Sequence, residues 1–143
     1  PLVDLNQVRI LIDEHKKTNA DFLFTSHRNG WPLGAVAELI SLHALEDLEA
    51  KTKEPLYLEH IIPWFHNNSD DYKCIPVNSP SHLRRPEYYF TVDYPEDLEL
   101  IKVIFEKLLK LGDFFNFNDV IELCDNEPNI LNINKHLHAG FDL

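Results

Sequence analysis

The stretch Tyr88 to Leu98, Y-Y-F-T-V-D-Y-P-E-D-L, constrains the fold of this 143-residue chain more than any other. Tyr88 to Val92 is a run of aromatic and β-branched residues, the composition of a buried strand. Pro95 has its φ preset for the first position of a helix and needs no backbone donor there. Tyr94 falls at the cap, and Asp97, three residues on, can turn its carboxylate back to the free N–H groups of the first turn. The segment therefore predicts a strand running directly into a helix, with Asp93 at the strand's carboxyl end. In open α/β sheets that edge is where ligands and metals are held. A carboxylate there serves either as an accessory to the helix cap or as a metal ligand, and spacing alone leaves both open.

Periodicity and punctuation place the other elements. Leu5, Val8, Leu11 and Ile12 predict a helix over 5–18, with Asp4 and Gln7 as a capping box. Strands are predicted over 20–26 and 35–40, joined by a turn at His27-Arg28-Asn29-Gly30 in which Gly30 supplies a positive φ. Ser41 caps a helix carrying Leu42, Leu45 and Leu48. Glu54-Pro55 opens another, with Leu58, Ile61, Ile62 and Phe65 on one side and a kink at Pro63. Tyr72 to Asn78 reads as an edge or irregular strand because Pro76 cannot donate to a ladder. Leu98, Ile101, Ile104, Phe105 and Leu108 mark a helix stopped by Gly112, Asn116 and Asp119 cap the next, and Glu127-Pro128 starts a short last one through Asn134. Helices alternating with short strands predict an α/β class.

Charge and cysteine usage narrow the partners. With 13 basic against 24 acidic residues the net charge is −11, which argues against nonspecific binding to nucleic acid or anionic membrane. No apolar run approaches the ~18 residues of a membrane span, and no signal peptide opens the chain. Cys74 and Cys124 lack metal-motif spacing and read as two free thiols of a cytoplasmic protein. The chain opens on Pro1 and contains no Met, which reads as a piece excised from a longer chain.

Several side chains carry two readings each. Glu38, in a strand otherwise of Ala, Val, Leu and Ile, is either a solvated strand residue or a site residue. Glu59 and His60 are neighbours about 100° apart on a continuous helix, so they do not form a helical metal pair. His60 is either a structural histidine or a pocket residue able to meet a sugar hydroxyl or carboxylate. The loop 78–86 holds Arg84 and Arg85, the densest positive cluster in an acidic chain. It is either solvated or suited to the bidentate grip of phosphate or carboxylate.

The motif T-V-D-x-P-E-D-L followed by an amphipathic helix resembles the C-terminal signature of cytidylyltransferases that activate sugars as CMP conjugates. The spore-coat polysaccharide biosynthesis proteins of that family, relatives of the acylneuraminate and KDO cytidylyltransferases, are the nearest in pattern. Pro32, Gly34 and Glu38 match its Pro-x-Gly-x-x-x-Glu spacing. Glu59-His60-Ile61-Ile62-Pro63-Trp64 is similar to its Glu-His-Val-Thr-Pro-Tyr segment, and Phe115, Pro128 and Ile133-Asn134 follow its ending. Three departures stand out: Leu33, Val36 and Tyr89 occupy positions where the family is usually polar or charged, Tyr89 standing in place of an Arg.

The resemblance implies the C-terminal part of a nucleotide-diphospho-sugar transferase fold, a three-layer sandwich around a mixed sheet. The N-terminal CTP-binding part would lie outside this chain, and the chain alone would be inactive. It implies CTP and a sugar, acidic or nonulosonic, as substrates, Mg²⁺ as cofactor, and a homodimer. Asp93 would be catalytic, and Asp93 and Asp97 would be the metal ligands. Glu38, Glu59 and His60 would line the sugar side, and Arg84 or Arg85 would take over from the missing Arg. Two other classes fit the same residues: a non-catalytic homologue serving as a dimerisation or sugar-binding module, and an unrelated hydrolase-like or phosphatase-like metal enzyme sharing only the strand-end Asp.

Overall fold

Alternation along three residues, Phe22, Leu23 and Phe24, makes one part of this chain two-sided. In the computed structural model, which describes residues 2, 5–110, 112 and 114–138, the chain divides into two compact units. The first comprises residues 6–25 and 37–77, the second residues 1–5, 26–36 and 78–143.

The first unit is built on a mixed sheet. Strand β1 (Phe22–Phe24) lies between β2 (Glu38–Ile40), which is antiparallel to it, and β3 (Cys74–Pro76), which is parallel. Successive side chains of a strand point to opposite faces. Phe22 therefore packs with Ala44, Leu48, Phe65 and Tyr72, while Leu23 packs with Leu11, Ala20 and Val77. Helix α1 (Leu5–Thr18) thus covers one face, and α2 (Leu42–Lys51) and α4 (Ile61–Asn67) cover the other. This is an α/β arrangement with helices on both faces of a mixed sheet.

The strands expected over 20–26, 35–40 and 72–78 form but are shorter, three residues each. Thr25 ends β1 by turning its side chain into the ladder. Its hydroxyl donates to the carbonyl of Ala37 at 2.9 Å and accepts the Ala37 N–H at 2.7 Å. Pro76 sits on an outer strand, as its missing N–H requires. Ser41 caps α2 by accepting the Ala44 N–H. The proposed Asp4 half of the α1 capping box lies outside the described residues, and Gln7 is buried with both side-chain polar atoms unpartnered.

The single kinked helix expected from Glu54 onward is instead two helices. Helix α3 (Pro55–Glu59) ends where α4 begins, and His60, with φ −124° and ψ 87°, is the hinge between them. The cause is Pro63. A proline ring inside a helix collides with the carbonyl four residues back, here that of Glu59, so the backbone leaves helical geometry just after it. Pro63 then falls in the first turn of α4, where no N–H is needed.

The second unit packs α5 (Pro95–Leu109) against α6 (Phe117–Asn126) and the 3₁₀ helix Pro128–Ile133. Leu100, Ile101, Ile104 and Leu108 of α5 and Val120, Ile121 and Cys124 of α6 are buried. Asn116 and Asp119 cap α6 reciprocally: Asn116 accepts the Asn118 N–H at 2.8 Å and Asp119 accepts the Asn116 N–H at 2.7 Å. α5 ends at Leu109, before Gly112. The last predicted helix is 3₁₀ in type, in two pieces, Pro128–Ile133 and Lys135–Leu137.

The strand expected over 88–92 reduces to one parallel bridge between Tyr89 and Leu33. Two hydrogen bonds make it, from Leu33 N–H to Tyr88 O at 3.0 Å and from Phe90 N–H to Leu33 O at 2.7 Å. Gly34, with φ +83°, then bends its segment away so that the ladder ends. A Cβ on Gly34 would lie 2.3 Å from the backbone of Phe90 and Thr91. Gly34→Ala is therefore expected to cost roughly 2–4 kcal/mol from left-handed strain and backbone collision together. Urea denaturation measures this, and a loss below 1 kcal/mol would show that the bridge yields freely.

Candidate functional site

Asp97 is fully buried and accepts four hydrogen bonds. Its Oδ2 accepts the backbone N–H groups of Asp93 at 3.1 Å and Tyr94 at 2.9 Å, which is the reach-back expected of a helix start with Pro95 at its first position. Its Oδ1 lies 2.8 Å from both Asn134 Nδ2 and His138 Nε2. Burial pushes this carboxyl up. The bonds from His138, Asn134 and the two backbone N–H groups outweigh that and hold it at about 2. A metal ion at Asp97 would have to displace one of these four donors, so the side chain does not fit the ligand role the sequence suggested. Its work is to fix the turn that carries Asp93.

Asp93 is exposed at that turn. Its Oδ2 accepts the Tyr89 hydroxyl at 2.9 Å, and Oδ1 carries no hydrogen bond among the described residues. Tyr89 is itself held: its ring stacks on His138 with centroids 3.4 Å apart and an 11° tilt, and its carbonyl accepts Asn134 Nδ2 at 3.0 Å. The result is a closed circuit. Asp97 holds the backbone of Asp93, His138 joins Asp97 to the Tyr89 ring, and the Tyr89 hydroxyl holds the carboxylate. An exposed carboxylate with one oxygen restrained and one open is a good oxygen donor for a hard divalent cation. Asp93 thus fits a metal as a single ligand.

Tyr89 also walls a cavity of about 510 Å³ in this unit. Its lining mixes apolar side chains such as Leu33, Pro86, Pro128 and Leu131 with Asn129, Asn132, Asn134 and Lys135. No site residue expected from the sequence is part of that lining, although Asp93 and Asp97 each bond a residue that is.

The two arginines have separated. Arg85 makes a two-pronged ion pair with Asp125, through Nε at 2.9 Å and through Nη2, and Asp125 also accepts the Tyr88 hydroxyl at 2.7 Å. The Asp125 carboxylate raises the Arg85 guanidinium's pKa, and Arg85 in turn lowers that of Asp125. Arg84 is exposed, makes no ion pair among the described residues, and lays its Cγ and its guanidinium Cζ and Nη1 over Gly30, whose φ is +88°. Arg85→Ala should therefore cost about 1–2 kcal/mol of stability and Arg84→Ala less than about 0.5. Equal losses in chemical denaturation would contradict this division of labour.

Glu38, Glu59 and His60 belong to the other unit. Glu38 faces Phe24 across the β1–β2 ladder. Burial raises its carboxyl, and the nearby His66 partly offsets this. Glu59 and His60 are exposed at the α3–α4 hinge, with Oε1 and Nε2 3.9 Å apart. His138 and Asn134 are residues that sequence reasoning did not single out for the site. Ile133-Asn134 was visible only as part of a matching tail. His138 bonds a residue 41 positions away from a non-periodic segment, which gave no signal.

No family model matches the chain. It is 26% identical over 129 residues to the spore coat polysaccharide biosynthesis protein SpsF of Bacillus subtilis (strain 168), covering 90% of this chain and 52% of that protein. It is 27% identical over 139 residues to an uncharacterized protein of Methanocaldococcus jannaschii, covering 96% of this chain and 54% of that one. The structure of a cytidylyltransferase from Leptospira borgpetersenii serovar Hardjo-bovis superposes with a TM-score of 0.79 at 25% identity, over 92% of this chain and 54% of that chain. The chain is similar in sequence and in fold to a cytidylyltransferase. It spans about half the length of the relatives it matches. Among the described residues no group of three or more His, Cys, Asp or Glu side chains is placed to hold a metal ion. Any cation at Asp93 would take its other ligands from outside that set.

Proposed function

We propose that this chain forms part of a nucleotidyltransferase that transfers CMP from CTP to a hydroxyl of a sugar, releasing pyrophosphate. The observation that carries the reading is Asp93, exposed, restrained by Tyr89 and open at Oδ1, in a chain that is similar to a cytidylyltransferase over 92% of its length. Mg²⁺ is the cation this donor suits. It takes one or two carboxylates together with phosphate oxygens, and when bound it would offset triphosphate charge and polarise the attacked phosphorus.

Tyr89 holds the carboxylate so that one oxygen faces outward, and Asp97 fixes the backbone beneath it. Arg84 offers a planar guanidinium that makes no ion pair among the described residues, of the kind that grips phosphate or carboxylate. Arg85 is committed to Asp125, so Arg84 is the better candidate to replace the cation missing at Tyr89. Glu38, Glu59 and His60 remain candidates for the sugar side on sequence grounds.

The test is release of pyrophosphate from CTP in the presence of Mg²⁺ and a panel of sugars, with ATP, GTP and UTP as controls. It is run on this chain and on any longer protein that carries it. Release that depends on CTP, a sugar and the metal supports the reading. No release from the longer protein with any sugar would favour the non-catalytic module.

A further inference from the structure

We propose that Tyr89, clamped by His138, sets the ion preference of Asp93: it leaves the carboxylate one open oxygen and so favours a small octahedral dication over Ca²⁺. This goes beyond the nucleotidyltransferase reading and rests on it for the presence of a cation at Asp93.

A carboxylate can meet a cation through one oxygen or through both. Ca²⁺ takes six to eight oxygens at about 2.3–2.6 Å in flexible geometry and accepts a two-oxygen grip. Mg²⁺ requires near-octahedral geometry at about 2.0–2.1 Å and keeps several waters, so the narrow bite of a single carboxylate fits its right angles poorly. At Asp93 the choice falls to the Tyr89 hydroxyl, which donates to Oδ2 at 2.9 Å while Oδ1 carries no hydrogen bond among the described residues.

A hydroxyl on a loose side chain would yield Oδ2 to an incoming cation. This one is held. The Tyr89 ring lies flat on His138, with centroids 3.4 Å apart and an 11° tilt. His138 is itself nearly buried and bonded to the buried Asp97. The backbone on either side of the Tyr89 ring is fixed too, its carbonyl by Asn134 and the following N–H by the carbonyl of Leu33. Asp97 also accepts the N–H of Asp93, so the carboxylate cannot leave the hydroxyl by shifting its turn. Capture of Oδ2 would break a charge-assisted hydrogen bond and displace a clamped ring. Tyr89 and His138 touch no cation in this scheme; they are positioning residues.

The experiment titrates Mn²⁺, a spectroscopic stand-in for Mg²⁺, into this chain and into any longer protein that carries it. Water-proton relaxation reads Mn²⁺, and its displacement by Ca²⁺ gives the second affinity. Asp93→Asn identifies the part of the signal that belongs to this carboxylate. The native protein should prefer Mn²⁺. Tyr89→Phe keeps the ring and its stack but frees Oδ2. It should lower Mn²⁺ affinity about tenfold while Ca²⁺ affinity holds or rises, so the ratio moves at least about tenfold toward Ca²⁺. His138→Ala, which unclamps the ring, should move it the same way by less. Structural damage alone would weaken both ions alike and leave the ratio unchanged. The proposal is overturned if the Tyr89→Phe ratio stays within about twofold of native, or if neither ion binds at Asp93. Metal-dependent pyrophosphate release with an unchanged ratio would overturn the ion preference and leave the transferase reading standing. A shifted ratio without release from any sugar would do the reverse.

Discussion

Asp93→Asn is expected to lower metal-dependent CMP transfer by roughly 100-fold or more while leaving the fold intact. Asparagine keeps the size of the side chain and can still accept the Tyr89 hydroxyl, so the turn should keep its geometry. What it loses is the charge that a hard cation requires. Asp93 is exposed and makes its one described side-chain bond to Tyr89, so little stability should be lost with it. Tyr89→Phe separates charge from position. The carboxylate remains, but nothing restrains its Oδ2, and loss of such a supporting bond typically costs 10–100-fold in metal affinity or activity. Mn²⁺ affinity, read from water-proton relaxation, checks both variants independently of turnover. The central claim fails if Asp93→Asn retains activity within a few-fold, or if neither variant alters Mn²⁺ binding.

The sequence exposed the local chemistry of this region better than its tertiary wiring. Pro95 at the first helical position and Asp97 reaching back were legible because a helix start is written within four residues. The mixed α/β class was legible from short apolar runs between amphipathic helices. The single bridge at Tyr89 was not, because a strand is defined by its neighbour, and Gly34 bends that neighbour away after one pairing. Tyr89 looked like the loss of a cation. Its hydroxyl in fact donates to Asp93 four residues on, a contact that depends on the backbone turning at Asp93. Arg84 and Arg85 were indistinguishable by composition, and only the placement of Asp125, forty residues later, separates the structural one from the open one. The break between α3 and α4 followed from a proline whose clash acts four residues upstream.

Asp97→Ala is expected to destabilise the protein by about 3–5 kcal/mol, the cost of removing one member of a buried, hydrogen-bonded polar cluster. Four donors lose their acceptor together: the N–H groups of Asp93 and Tyr94, Asn134 Nδ2 and the His138 ring nitrogen. The Asn134 bond is buried, and His138 is nearly so, so these two donors would be left without an acceptor in the interior. The same carboxylate should shape the acid limb of stability. Held at about 2 in the folded chain, it lies below the ~3.9 of an unfolded aspartate, so the unfolded state takes up the proton first as pH falls. Its contribution is present in full above about pH 5 and is lost as pH falls toward 2, amounting to roughly 2.5 kcal/mol. Urea denaturation followed from pH 6 to pH 2 should show a steep fall for the native chain and a shallower one for Asp97→Ala. His138→Ala, which removes one donor and leaves the charge, should lie between the two at neutral pH. If Asp97→Ala costs under 1 kcal/mol and the two acid limbs run parallel, the circuit beneath Asp93 is not what holds that turn.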